Sequence, residues 1–137
     1  MNVKTLYRPV GIKELELIIV SSWKAFPPRL EWQPIFYPVL NQRYAEKIAK
    51  DWNTEDEFSG YCGIVTKFDV AKDHFEKYKV ENVGDEMHNE LWVPAEELDI
   101  FNQHIVGKIE VVKVFFGEKF IMPEGQFLQP IIQKFKQ

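Results

Sequence analysis

One cysteine, Cys62, stands in the 137 residues. It cannot close an intrachain disulfide, and without a second thiol there is neither a zinc knuckle nor a CxxC redox pair, so a reducing, cytoplasmic setting is expected. Long apolar runs are missing as well. The most apolar stretch, Leu15 to Val20, is broken by Glu16 and falls far short of the roughly 20 residues a spanning helix needs. The chain opens with Asn2 and Lys4 in a strand-like segment and lacks the apolar stretch and small-residue cleavage site of an export leader. No membrane or export role is expected. Positive charge is in deficit: 17 Lys+Arg against 21 Asp+Glu give a formal net charge of -4, which argues against a duplex nucleic-acid partner. The phosphate-cradling motifs GxGxxG and GxxxxGK[ST] are missing, and none of Ser21, Ser22 and Ser59 lies in a GxSxG elbow. His74, His88 and His104 have no HxH or HxxxH spacing and no cysteine companion, so no metal is expected.

What remains is an ordinary globular composition. Hydrophobic residues at 45%, charged residues at 28% and aromatics at 15% are enough for one core, and the length fits a single domain over residues 1–137. Val3 to Val10 reads as a strand, followed by a helix whose apolar positions are Ile12, Leu15, Ile19 and Ser22/Trp23. Ala25 to Pro34 holds three prolines and reads as an irregular loop. Ile35 to Leu40 is a short strand, after which Asn41 caps a helix with the stripe Tyr44, Ile48, Trp52, expected to pack under Ile64 and Phe68. Tyr61 to Val70 alternates with Cys62, Ile64, Thr66, Phe68 and Val70 inward. Asp69 is expected to cap a two-turn helix carrying Ala71, Phe75 and Tyr78. Asn89 to Val93 alternates, with Glu90 and Trp92 on one face. Pro94 then starts a helix with the stripe Leu98, Phe101, Ile105, ended by Gly107. Lys108 to Phe116, apolar on both faces, reads as a central strand, and Leu128, Ile131, Ile132 and Phe135 as a terminal amphipathic helix. The sum is an α+β fold with a curved or split, mixed or antiparallel sheet and short helices.

Two charged residues stand on strand faces beside apolar neighbours: Arg8 with Leu6, and Glu90 with Trp92. Each must be paired or face a cleft, because an unpaired buried charge costs several kcal/mol. A structural ion pair, plain exposure at a sheet edge and a ligand site are the readings. Arg29 and Trp32, in the proline-rich loop, could close such a cleft or simply pack on the surface.

The order LYRPV, FYPVLN, QRYAEKIAKDW, GYCGIVTKFDV and NELWVPAEEL resembles the layout of small ADP-ribosyltransferase folds. It also resembles a small bacterial family with LYRPVG, FYPVLN and ELWVPAEEL motifs whose members often carry an ADP-ribosylation/crystallin label. That label belongs by name to ADP-ribosyl-glycohydrolases, large all-helical metal proteins, which nothing here resembles. The transferase resemblance implies NAD as substrate, Glu90 as catalytic carboxylate, Arg8 on the ribose and phosphates, Tyr37 or Tyr61 as the aromatic wall for nicotinamide, and Tyr7 and Trp92 as further ligand contacts. It also implies that Arg8 and Glu90 share one groove. Where the arginine-modifying members have a second Glu two residues before the catalytic one, this chain has His88, and it has no STS motif. The alternative is a non-catalytic nucleotide- or peptide-binding module, or a protein interaction domain.

Overall fold

The structure, a computed structural model, describes residues 2–84 and 87–136. Along the chain run β1 (Val3–Val10), α1 (Ile12–Val20), β2 (Ile35–Phe36), α2 (Gln42–Asp51), β3 (Cys62–Ala71), α3 (Lys72–Phe75), β4 (Lys79–Asn82), β5 (Asn89–Pro94), α4 (Leu98–Gln103), β6 (Ile105–Phe116) and α5 (Leu128–Phe135). Among the described residues the strands form two three-stranded sheets, ordered β1-β3-β6 and β2-β5-β4, with every pairing antiparallel. The backbones of the two sheets are bridged at Val39. Val39 exchanges backbone bonds with Tyr7 at 2.9 and 2.7 Å, and its neighbours Pro38 and Leu40 bond to Leu91 and Asn89 at 2.9 and 3.1 Å. Tyr7, Val39 and Glu90 therefore lie in line across the junction.

Both faces of the first sheet are covered. One carries the larger core, where the Phe26 ring meets Phe68 at 4.9 Å and Phe36 at 5.2 Å, tilted and edge contacts of the kind that add roughly 0.5–1.5 kcal/mol beyond burial. Leu6, Val10, Leu91 and Val93 belong to this core. The other face carries α2. Asn41 caps that helix as expected, its side chain accepting from the Tyr44 N–H at 2.8 Å. The buried stripe is Tyr44, Ala45 and Ala49, packed with Val39 and Val65. It is not Tyr44, Ile48, Trp52 over Ile64 and Phe68: Trp52 is 60% exposed, and Ile64 and Phe68 point into the opposite core. Small alanines win the contact because α2 lies so close that a Cβ on Gly63 would sit 2.4 Å from the Ala49 carbonyl oxygen.

Four further expectations are corrected. β6 is an edge strand beside β3; its apolar residues on both faces reflect cover from both layers, with Ile109 and Val114 in the larger core and Val112 and Phe115 against α2. Asp69 caps no helix, because β3 runs on to Ala71 and the Asp69 carboxylate accepts from the Thr5 hydroxyl at 2.6 Å; the following helix is one turn, Lys72–Phe75. Pro94 closes β5 rather than opening a helix, and a 3-10 turn at Ala95–Glu97 separates it from α4. Ile105 already belongs to β6, so Gly107 sits inside that strand, at φ 78°, and does not terminate a helix. β4 was not foreseen.

Candidate functional site

The pairing Ile35↔Pro94, Phe36↔Val93 and Val39↔Glu90 keeps one register, which sets Tyr37 opposite Trp92. Partners directly opposite in an antiparallel ladder point to the same face. Tyr7, Val39, Tyr37, Glu90 and Trp92 thus share the face on which α2 packs. Leu91 and Val93, alternating with them, are fully buried in the larger core. At the rim of this face Tyr37 is 43% and Trp92 41% exposed.

Glu90 is held at both oxygens. Oε2 accepts from the Tyr44 hydroxyl at 2.7 Å, and Oε1 accepts from the Trp92 indole N–H at 3.1 Å. Tyr44 reaches it from the first turn of α2, where the Asn41 cap fixes its backbone. Burial, then the hydrogen bond and negative charge of Glu90, push the Tyr44 phenol well above its ordinary value, so it stays a donor at any physiological pH. The His88 ring stacks on Tyr44 with centroids 4.4 Å apart and planes 12° off parallel. Beside Tyr37, the Arg29 guanidinium lies 5.7 Å from the ring centroid while its Nε donates to the Ile35 carbonyl at 3.0 Å. Burial, then the nearby Arg8 charge, lower its pKa against the opposing pull of Glu14 and Tyr37, yet a guanidinium starts so high that it keeps its charge.

Arg8 is elsewhere. It alternates with Tyr7 and so shares the face of Leu6 and Val10, all three buried. Its Nε and Nη2 donate to the two oxygens of Glu14 at 2.6 and 3.0 Å, and its Cζ stands 4.8 Å from the Phe36 ring centroid. The expected common groove for Arg8 and Glu90 is overturned. Tyr7, not Arg8, is in line with Glu90, and a strand turns successive side chains to opposite faces. Of the readings open for Arg8, edge exposure is excluded by its burial and the ion pair is the one that forms.

The remaining candidates divide. Tyr7 and Trp92 join Glu90 and Tyr37 on one face. Tyr61 does not: it precedes β3, past the last pairing of β1 at Val10↔Ile64, with its N–H bonded to the Asp56 carbonyl and its carbonyl to the Gly117 N–H. Trp32 is 75% exposed in the loop. Cys62 is fully buried, and burial pushes its thiol up to about 12, which removes it as a nucleophile. Among the described residues no group of three or more His, Cys, Asp or Glu gathers to hold a metal, and no helix is long and apolar enough to cross a membrane. Tyr44 and His88 escaped the sequence reading as site residues. Tyr44 read as part of an apolar stripe, and its place three residues after the Asn41 cap was the one signal that its hydroxyl sits at a helix start near other strands. Comparison of the chain with protein-family models, with curated proteins and with solved structures gives no match.

Proposed function

We propose that the Glu90 face binds NAD or ADP-ribose and that the chain transfers ADP-ribose from NAD there. The observation that carries this reading is the fixed carboxylate of Glu90, oriented by Tyr44 and Trp92 on the same face as the exposed Tyr37 and Trp92. Two aromatic faces suit a planar nicotinamide or adenine ring, and a preorganised carboxylate suits a centre where positive charge develops. In the reaction nicotinamide leaves with the electron pair of its glycosidic bond. The ribosyl carbon becomes oxocarbenium-like, Glu90 accepts from the ribose 2′-hydroxyl and offsets the charge, and an acceptor nucleophile attacks and releases its proton. Arg8 is committed to Glu14, so the pyrophosphate would meet Arg29 at the edge of Tyr37 instead.

Both Glu90 oxygens already accept hydrogen bonds from within the chain, which favours a second reading, a recognition module that binds the nucleotide without turnover. Nicotinamide release from NAD, run beside calorimetric titration with NAD and ADP-ribose, separates the two. Transfer predicts release that falls about 10²-fold in Glu90→Gln with folding intact. Binding without release supports the module. Neither binding nor release sinks both.

A further inference from the structure

We infer that the chain pairs with a second copy of itself through the free edge of β6, so that two three-stranded sheets join as one continuous antiparallel sheet. The unpaired N–H and C=O groups of an edge strand are a template for another strand, and folded proteins blunt such edges with prolines, charges, short strands or covering segments. The other edges here carry these devices. β1 has Pro9 and is bridged by Val39 at Tyr7. β2 is two residues long, with Pro34 and Pro38 close by, and β4 is four, with Lys79 and Glu81 among them. β6 runs for 12 residues and ends in VVKVFF. In that run Val111, Val112, Phe115 and Phe116 are half-buried, and Lys113 is the lone charge.

Which groups are free follows from the ladder. Tyr7 turns its N–H and C=O to Val39 and away from β3, so by alternation Gly63 and Val65 of β3 turn theirs toward β6. Phe115 and Lys113, opposite them, are thereby bonded to β3, and the N–H and C=O of Val114 and Phe116 point outward. The Gly117 N–H, bonded to the Tyr61 carbonyl at 2.8 Å, keeps the same phase. Farther back on this edge the Trp23 carbonyl takes the Ile109 N–H at 2.8 Å, but among the described residues no such bond reaches Val114 or Phe116. Both irregularities in the β3 pairing lie before Lys113, so Lys113 to Phe116 is regular ladder.

A two-fold axis at Phe115 matches these groups. It sets Val114 of each copy opposite Phe116 of the other, each pair exchanging both backbone bonds, and brings the two Phe115 side chains together across the axis. Charge selects the same register. Lys113 then lies against Gly117 and the adjoining Glu118 of the second copy, whereas an axis at Lys113 would oppose like charges. Lys113 and Glu118 are both exposed, and among the described residues neither is in an ion pair.

The test is sedimentation equilibrium of the full chain beside amide hydrogen exchange. Between about 5 and 500 µM the mass is expected to rise from 16.2 kDa toward twice that value. Over the same range exchange at the Val114 and Phe116 amides should slow about tenfold, while Lys113 and Phe115, already bonded to β3, change little. Lys113→Glu sets two carboxylates together and should weaken association about tenfold, as should Glu118→Lys, and the double reversal should return to within about threefold of the parent. Exposed positions tolerate such changes without unfolding, and far-UV circular dichroism of the variants checks this. A mass of 16.2 kDa throughout, exchange at Val114 and Phe116 that ignores concentration, association indifferent to both single reversals, or a double reversal no better than either single would each overturn the inference.

Discussion

Removing the charge of Glu14 while keeping its shape isolates what holds Arg8. The pair is closed by two bonds of 2.6 and 3.0 Å, with side-chain exposures of 9% for Arg8 and 22% for Glu14. Glu14→Gln keeps an oxygen for one guanidinium N–H but sets an NH2 against the other and leaves the cation unneutralised on the core side of β1. Breaking a fully buried pair costs about 3–5 kcal/mol. Glu14 keeps partial contact with water and Arg8 keeps the Phe36 ring, so the expected loss is about 2–3 kcal/mol. The partner experiment replaces both groups: Arg8→Met with Glu14→Leu should return stability to within about 1 kcal/mol of the parent, because apolar side chains of similar volume need no counter-charge. Urea unfolding at constant m-value reads both numbers. A Glu14→Gln loss below about 0.5 kcal/mol, or a double variant no better than the single, would refute the ion-pair account and return Arg8 to the candidates for ligand contact.

Three other outcomes follow from the same geometry. Gly63→Ala should destabilise by about 1–3 kcal/mol or more, because the new Cβ lands on the backbone of Ala49 and α2 must lift off β3; an unchanged urea midpoint would contradict the close approach. His74 is buried and stacks on His104 at 3.8 Å with planes 2° off parallel, and burial, then His104 and Lys77, lower its pKa against Asp73 and Glu97. Its folded pKa therefore lies below the unfolded value of about 6.5, so its stability contribution is complete above that pH and is lost as the pH falls beneath it. The urea midpoint between pH 7 and 5 should drop less steeply in His74→Phe than in the parent, and equal slopes would contradict this. Trp92→Phe keeps an aromatic ring but removes the donor to Glu90; it should weaken ADP-ribose binding about fivefold with little change in stability, and unaltered calorimetric affinity would disconnect Trp92 from the site.

Alternation made the strand faces legible. Leu6 with Arg8, Glu90 with Trp92, and the inward set from Cys62 to Val70 all fall on the faces that period two assigns them, and the Asn41 cap fixed the start of α2. Pairing partners were not legible, because they depend on contacts between distant segments. The two apolar faces of β6 could mean a central strand or an edge strand with both layers over it, and only the strand order decides. The stripe on α2 was misread for a related reason: large residues at helical spacing suggest the buried side, but Gly63 draws α2 so close to β3 that Ala45 and Ala49 occupy the contact and Trp52 is turned out. Arg8 and Glu14 lie six positions apart on consecutive elements, and such local ion pairs are the kind a sequence can suggest.

The division of labour between Arg8 and Glu90 turns on a single-residue phase. The backbones of the two sheets are bridged at Val39, which pairs with Tyr7 on one side and Glu90 on the other. Had the junction engaged Arg8 instead, the guanidinium and the carboxylate would share a face, the expected groove would exist, and Tyr7 would have been driven into the apolar core. The chain resists that slip from both sides. Tyr7 packs with Val39 and Val65 under α2, while Leu6 and Val10, in phase with Arg8, are buried in the core that also holds Leu91 and Val93; shifting β1 by one residue would exchange these sets and move the buried leucine and valine to the half-buried α2 side. Glu14 then sits where Arg8 must be neutralised, in the first turn of α1. The face left to Glu90 is the one α2 reaches, and the Tyr44 hydroxyl meets the carboxylate across 46 positions of sequence. The make-up of the Glu90 face is therefore set by the phase of β1 against Val39, which places one carboxylate and three aromatic side chains on a single face and keeps the strand's arginine off it.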